Sequence, residues 1–508
     1  MSDALTFTPS PAGARPSDPP PNILMLFSDQ HAAQAAGFMG SRLVRTPNLD
    51  RLAAQGTVFE NAYCNAPLCS PSRQSFMAGL YPHQIGCWDN TAAMPEDTVT
   101  WAHMLGLAGY ETALIGKMHF NGYQKMYGFD RRPVLEGDNA GNSFYSYGVR
   151  ASCDWTRPIP PYLPIPKDVK SAGPDTPRRQ PIFRKDLEVL DGTLAYLREK
   201  AAAEKKARRA RGKTKTPAQP WAVCASFVLP HPPFKARRDI LKTYTGTGDL
   251  PINPRGADRD ACDRALQQYT GELGVKLTDA QIRRAREVYF ALVTEFDEYA
   301  GRILDELDRL GLAENTVVFY FSDHGEMAGE HGLWSKVTLL ESSVRVPLIV
   351  RWPGKTKAGA RVHTPVSLVD LFPTFLDVAR IAVPPAIPRP GRSLCDLFGG
   401  DPVDGGGGHF VFGEFEGEGW AHPRCFLRRG RYKLVYNHSA DLRLYDLEKD
   451  PHEMHDLSAQ PNLAQVKQAF LNYLSTFWEP RKIEAEVIAS QTRRKIARCR
   501  NVGKDLGW

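Results

Sequence analysis

Cysteine is sparse in this chain. Nine cysteines scattered through 508 residues cannot make a disulfide framework. No C-x-x-C pair and no Cys/His spacing of the zinc-binding kind occurs, which sets aside thioredoxin-like redox chemistry and structural zinc. Long apolar runs are also missing, and none approaches the roughly 20 residues a membrane-spanning helix needs. Residues 1–21 lack the basic and apolar regions of a secretory signal and are rich in Pro, Ala, Ser and Gly. The expectation is a disordered tail over 1–21 and a reduced, cytoplasmic location without a membrane partner. A broad excess of charge is lacking too. The net charge is +7, and the run Lys205–Lys215 alone carries seven positive charges. The rest is close to neutral, so a nucleic-acid partner is not expected. The run reads as a solvated basic insertion at about 204–219.

Hydrophobic residues make up 42% of the chain, enough for a large core and two domains. Asn22–Phe27 is a continuous apolar run, the mark of a strand buried on both faces of a sheet. It runs into Ser28-Asp29-Gln30-His31. The same shape returns as Thr316–Phe321 followed by Ser322-Asp323-His324-Gly325. Two buried strands thus each deliver an acid at the carboxyl end, where open α/β sheets place their sites. Further strands are predicted at Thr112–Ile115, Ala222–Leu229 (with Cys224 as a small core residue) and Pro347–Arg351. A helix is predicted from Asp279 to Leu310, with Ile282, Ala285, Tyr289, Leu292, Phe296, Tyr299, Ile303, Leu307 and Leu310 on one face and Thr278 and Gln281 as a capping box. The alternation predicts an α/β fold with a mostly parallel central sheet covered by helices on both faces.

The chain changes character near residue 380. Pro384, Pro385, Pro388 and Pro390 read as a linker and Gly405–Gly408 as a loop. Short strands follow at His409–Phe412, Cys425–Arg428, Tyr432–Tyr436 and Leu442–Tyr445, then a helix from Asn462 to Trp478. The division is a catalytic domain over 22–380, a small C-terminal α+β subdomain with an antiparallel sheet over 381–478, and a tail over 479–508. Ile483–Cys499 reads as a helix with a partly apolar stripe, too weak to stand alone.

The run Cys69-Ser70-Pro71-Ser72-Arg73, continued by Ser75-Phe76-Met77-Ala78-Gly79-Leu80-Tyr81-Pro82-His83, resembles the maturation motif of type I sulfatases in the alkaline phosphatase superfamily. The resemblance covers nearly the whole chain from Asn22. It implies an alkaline phosphatase-like fold, conversion of Cys69 to formylglycine by a formylglycine-generating enzyme, one divalent metal ion, and a small-molecule sulfate ester as substrate. The chemistry explains the cysteine. A formylglycine aldehyde hydrates to a geminal diol, one hydroxyl attacks sulfur, and loss of the second hydroxyl's proton reforms the carbonyl and expels sulfate.

The same resemblance assigns residues. Asp29, Gln30, Asp323 and His324, with residue 69, would be metal ligands. Hard oxygens suit Ca²⁺, whereas the Gln30/His324 pair resembles choline sulfatases and phosphonate monoester hydrolases and suits Mn²⁺. Gly116-Lys117-Met118-His119 matches the family's G-K-x-H. Lys117 and Arg73 would fix the diol, and His119 would remove the second hydroxyl's proton. His231, in Pro230-His231-Pro232-Pro233, would be leaving-group acid or sulfate binder. Lys336 would hold the sulfuryl oxygens, and Asn90 would contact the same group. His83 and His331 read as structural, and His31 as either.

Asp89-Asn90, Ala113–His119 and Asp323–Met327 are most like the choline sulfatase branch. The tail 484–508 is similar to the extension through which that branch assembles, which implies a homo-oligomer; packing on its own chain is the alternative. Phe144, Tyr145, Tyr147 and Trp155, with Glu414 or Glu416 as counter-charge, are candidates for a pocket around a cationic alcohol. The substrate alcohol stays open. Hydrolysis of phosphonate monoesters or phosphodiesters at the same site is the alternative reaction. A superfamily phosphotransferase with a Ser or Thr nucleophile is a third reading, and a binding protein on an inactive scaffold a fourth.

Overall fold

The computed structural model describes residues 20–136, 165–174, 181–210, 218–253, 261–401, 409–417, 419–420 and 422–502. Asn22–Ser28 (β1) is buried along its whole length. Ile23, Met25 and Phe27 enter one core cluster, and Leu24 and Leu26 enter the other, as a strand covered on both faces requires. With it run Thr57–Phe59 (β2), Glu111–Gly116 (β3), Arg131–Leu135 (β4), Trp221–Ser226 (β5), Thr316–Ser322 (β6), Leu348–Arg351 (β7) and Ala360–Val362 (β8). These strands form one sheet in the order β8-β2-β7-β6-β1-β5-β3-β4. β1 lies between β6 and β5, parallel to both, with Ser28 opposite Ser322 and Phe27 opposite Ser226. The carboxyl ends of three neighbouring strands therefore meet at one edge. β7 is antiparallel to both of its neighbours.

Helices cover both faces. Cys69–Ala78 (α1), Trp101–Leu107 (α2) and Leu371–Val378 (α5) pack on the Phe27 face. Phe76 of α1 anchors that packing, with ring centroids 5.4 Å from Phe27, 5.0 Å from Phe321, 5.8 Å from Trp101 and 6.0 Å from Phe375. Pro181–Ala210 (α3) and Asp279–Arg309 (α4) lie on the Leu24 face. The predicted capping box opens α4: Thr278 Oγ1 accepts from Gln281 N–H at 3.2 Å and Gln281 Oε1 accepts from Thr278 N–H at 2.9 Å. In the basic run, Lys205, Lys206, Arg208 and Arg209 are exposed on the last turns of α3. Residues 211–217 lie outside the described residues, as do 1–19 and Phe144, Tyr145, Tyr147 and Trp155.

Val411–Phe415 (β9), Arg424–Arg429 (β10), Tyr432–Asn437 (β11) and Leu442–Asp446 (β12) form the antiparallel C-terminal sheet. Phe415, Phe426, Val435 and Tyr445 on one face join the catalytic core. Phe412, Leu427, Leu434 and Leu444 on the other pack against Ala464–Leu474 (α6) through Phe470 and Leu474. Lys433, fully buried on β11, bonds Glu341 at 3.0 Å and Glu453 at 2.8 Å and ties the sheet to the catalytic domain.

The tail forms a helix, Pro480–Val502 (α7), whose first turns are covered within the chain while Ile496 is exposed. Ile483 and Val487 are buried in the cluster of Phe412, Leu434 and Trp478. Arg494 Nη1 and Nη2 each donate to one oxygen of Asp89 at 2.8 Å. The apolar face expected to seek a neighbouring subunit is therefore used in cis, at least as far as Arg494. Val487→Asp would place an unpaired carboxylate in that cluster, costing several kcal/mol (, about 2–5). We predict a lower Tm and early tryptic cleavage beyond Trp478, read by intact mass. An unchanged cleavage pattern would show that the stripe does not hold the helix.

Candidate active site and metal centre

Each strand end supplies one part of the site. Asp29 follows β1 and Asp323 follows β6, and register places the two acids side by side. Cys69 is the first residue of α1, where the helix's unpaired N–H groups favour negative charge. Asn90 Oδ1 accepts from Ser70 N–H at 3.0 Å, so Asn90 caps the first turn beside Cys69.

Arg73 lies one turn along α1 with no exposed surface. Its Nε donates to Asp323 Oδ2 at 2.7 Å and its Nη2 to Asp29 Oδ2 at 3.1 Å. Nη1 donates to the Lys117 carbonyl at 2.9 Å and to Ser226 Oγ at 2.8 Å, and the guanidinium lies over the Phe27 ring at 4.3 Å. Arg73 thus holds the Oδ2 atom of both acids, where the resemblance had it gripping the nucleophile. Lys117 Nζ also donates to Asp29 Oδ2. The Oδ1 atoms converge on His324 Nε2, at 3.8 Å for Asp29 and 3.7 Å for Asp323. Cys69 Sγ lies 3.2 Å from His324 Nε2 and 3.8 Å from Asp29 Oδ1.

The ligand atoms of Asp29, Cys69, Asp323 and His324 lie within 4.8 Å of one another, all buried. Two carboxylates and an imidazole around one enclosed volume fit a divalent cation. Gln30 completes the set by orientation. Its Nε2 donates to Glu326, which turns Oε1, the only atom of the amide able to ligate, toward Lys336 and the site. Glu326 also accepts from Ala328 N–H at 2.9 Å and Ser335 N–H at 2.7 Å, and burial pushes its carboxyl up.

The cations have a consequence for residue 69. Burial pushes the Cys69 thiol up, but Lys117, Lys336 and His324 outweigh it and hold the thiol well below the ordinary range. Burial and Cys69 likewise push Asp29 up, while Lys117, His231 and Arg73 hold it well below the usual carboxylate range. The site is built to stabilise negative charge at position 69 and at the acids.

Lys336 and the histidines complete the constellation. Lys336 Nζ lies 3.4 Å from Cys69 Sγ and 2.9 Å from His231 Nε2. His231 Nδ1 lies 2.6 Å from the Pro232 carbonyl, so Nδ1 carries the hydrogen and Nε2 accepts from Lys336. Burial and Lys336 hold His231 below the usual imidazole range. His119 adds to the influences that hold the Cys69 thiol low. Its main chain is fixed by Glu136, which accepts from His119 N–H at 2.7 Å, and by Ser70 Oγ and Gln74 Nε2, which donate to its carbonyl at 3.2 and 2.9 Å.

The residues given catalytic, metal or sulfuryl-binding roles from the sequence lie together here. Glu136, Glu326 and Ser226 were not singled out for a role, because nothing local marks an acid or hydroxyl that acts across the fold. His83 pairs with Glu414 at 2.7 Å, and His331 Nε2 lies 2.8 Å from the His452 carbonyl, so both are structural. His31 is packed against Tyr320 and the Ala35 carbonyl, and burial lowers it to about 4. Glu414 also accepts from Trp478 Nε1 at 2.7 Å, so both its oxygens are taken, by His83 and by Trp478.

The sulfatase family pattern matches residues 21–381, and the pattern described as N-sulphoglucosamine sulphohydrolase, C-terminal matches 329–479. The chain is 31% identical over 496 residues to a choline-sulfatase of Rhizobium meliloti (strain 1021), covering 94% of this chain and 90% of that one. It is 29% identical over 480 residues to arylsulfatase K of Mus musculus, covering 89% and 80%. A phosphonate monoester hydrolase of Agrobacterium radiobacter superposes with a TM-score of 0.69 at 23% identity, covering 92% and 96%, which speaks to the fold.

Asp29→Asn and Asp323→Asn each remove a charge from the candidate ligand set. Even residues behind the ligands change metal affinity about 10–100-fold. Affinity for Ca²⁺ and Mn²⁺ by titration calorimetry is therefore predicted to fall about 100-fold or more in both variants. Unchanged affinity in both would remove the ligand assignment.

Proposed function

The chain belongs to the sulfatase family and is a sulfuric ester hydrolase, and from that premise we propose that it cleaves a small sulfate monoester with residue 69, matured to formylglycine, as nucleophile. The observation that carries this is the enclosure of Cys69 by Asp29, Asp323, His324, Lys117, Lys336, His119 and His231, a set that surrounds one atom with cations, acids and imidazoles.

A divalent cation held by Asp29, Gln30, Asp323 and His324 would supply positive charge to both the nucleophilic oxygen and a sulfuryl oxygen. Arg73 keeps the two acids in register. Lys117 and Lys336 neutralise charge on the sulfuryl oxygens, held in place before reaction and away from solvent. As the S–O bond to the alcohol breaks, its electron pair stays on the alcohol oxygen, and the His231–Lys336 pair delivers a proton there. His119 then takes the proton of the second hydroxyl of residue 69, the carbonyl reforms, and sulfate leaves. Asn90 holds the first turn of α1 so that residue 69 faces His324 and Asp29.

The maturation partner is a formylglycine-generating enzyme acting on Cys69-Ser70-Pro71-Ser72-Arg73. The substrate is a compact sulfate ester; similarity to a choline-sulfatase over most of both chains favours a small alcohol. Ca²⁺ and Mn²⁺ both fit the donors, and His324 favours Mn²⁺. A second reading, phosphonate monoester hydrolysis, rests on the Gln30/His324 pair and on in-line geometry common to both transfers.

Matched nitrophenyl sulfate and nitrophenyl phosphonate esters separate the two. We expect the larger kcat/KM on the sulfate, and a fall on the order of a thousandfold or more in Cys69→Ala. A larger kcat/KM on the phosphonate would transfer the assignment to the second reading. Multiple turnover by Cys69→Ala near the parent rate would sink both.

A further inference from the structure

Asp186, on α3, is fully buried and belongs to none of the ion pairs among the described residues. Its two oxygens are taken by two consecutive main-chain donors: Oδ1 accepts from Val228 N–H and Oδ2 from Leu229 N–H, each at 2.8 Å. These residues lie just beyond β5, immediately before Pro230 and His231. The connection continues to the histidine, because Val228 accepts from His231 N–H through its carbonyl at 2.9 Å. On the other side Asp29 N–H donates to the Leu229 carbonyl at 3.1 Å, so the turn is fastened to the strand end that carries a metal ligand. A carboxylate buried without a counter-cation is costly unless N–H donors satisfy it. Here both donors belong to the turn that presents His231.

We infer that Asp186 is a positioning residue, which sets the height and direction of the His231 imidazole so that Nε2 meets Lys336 and the departing alcohol oxygen. It touches neither substrate nor cation and acts through the main chain of Val228 and Leu229. The inference rests on the reading of His231 and Lys336 as the pair that protonates the leaving group. A displacement of about an ångström in such a group costs on the order of a hundredfold in rate. That loss is selective: an alcohol whose oxygen bears little charge on leaving needs no proton, whereas a basic alcohol does.

Substituted phenyl sulfates of graded leaving-group pKa supply the test, on metal-loaded full-length protein. Asp186→Asn keeps the size of the side chain but leaves one N–H without an oxygen. We expect kcat/KM to fall about tenfold to a hundredfold on unsubstituted phenyl sulfate and less than about threefold on a dinitrophenyl sulfate, steepening the dependence on leaving-group pKa. His231→Ala should show the same steepening, and adding Asp186→Asn to it should steepen it no further. Tm and bound metal, measured on each variant, separate misfolding from this pattern, and Asp186→Ser provides a smaller acceptor if the Asn variant is unstable. If His231→Ala steepens the dependence and Asp186→Asn lowers every substrate equally, the positioning role is overturned while the reading of His231 stands. If His231→Ala does not steepen it, both are overturned.

Discussion

One buried guanidinium holds the arrangement together. Asp29 and Asp323 end adjacent parallel strands and would repel each other across a few ångströms of low-dielectric interior. Arg73 lies between them with both Oδ2 atoms in its grip and Phe27 beneath its plane. Arginine suits this place because its fork reaches two carboxylates at once and stays charged when buried. Because Arg73 and Cys69 share one helix, the contact that fixes the acids also fixes Cys69. The other dependencies follow: the Oδ1 atoms turn to His324, Lys117 closes on Asp29, and the thiol of Cys69 is held low by the cations around it.

Around this centre the backbone bends in ways that side chains rarely allow. Gln30, His119, Ser335 and Val337 all have φ between 58° and 68°, the left-handed region, and a β-branched residue such as Val337 is a particular outlier there. Such residues cost about 1–3 kcal/mol each and persist only where surrounding contacts over-determine them. The contacts are visible. Gln30 N–H donates to Asp323, His119 N–H to Glu136, and Ser335 N–H to Glu326. Acids with little or no exposure thus repeatedly serve as main-chain anchors, holding the loops that a strand-end site needs but that no regular element can supply.

Much of this was legible because it is local or periodic. The apolar runs of β1 and β6 announced strands covered on both faces, and the Ser-Asp at each end placed the acids. The Thr278/Gln281 box and the long stripe of α4 read directly. What was not legible depends on pairing across the chain. Nothing near Glu136 or Asp186 distinguishes it from a surface acid, since each matters only through a backbone segment 17 or 42–43 residues away. The direction of β7 depends on its connection rather than its composition. Charge alone did not show that the first part of the basic run is helical; α3 carries it through Ala210, its alanines and long side chains being good helix formers. The tail's stripe was visible, but its packing on Phe412, Leu434 and Trp478 of the same chain is a long-range contact that periodicity cannot show.

The central claim is that this enclosure exists to serve a carbonyl at position 69. Mass spectrometry of the peptide spanning Cys69, from protein co-expressed with a formylglycine-generating enzyme, tests it most directly when paired with turnover of an aryl sulfate. The account predicts an aldehyde or its hydrate at residue 69, in a fraction that scales with specific activity across preparations. Full activity in protein whose residue 69 is entirely unmodified thiol would contradict it.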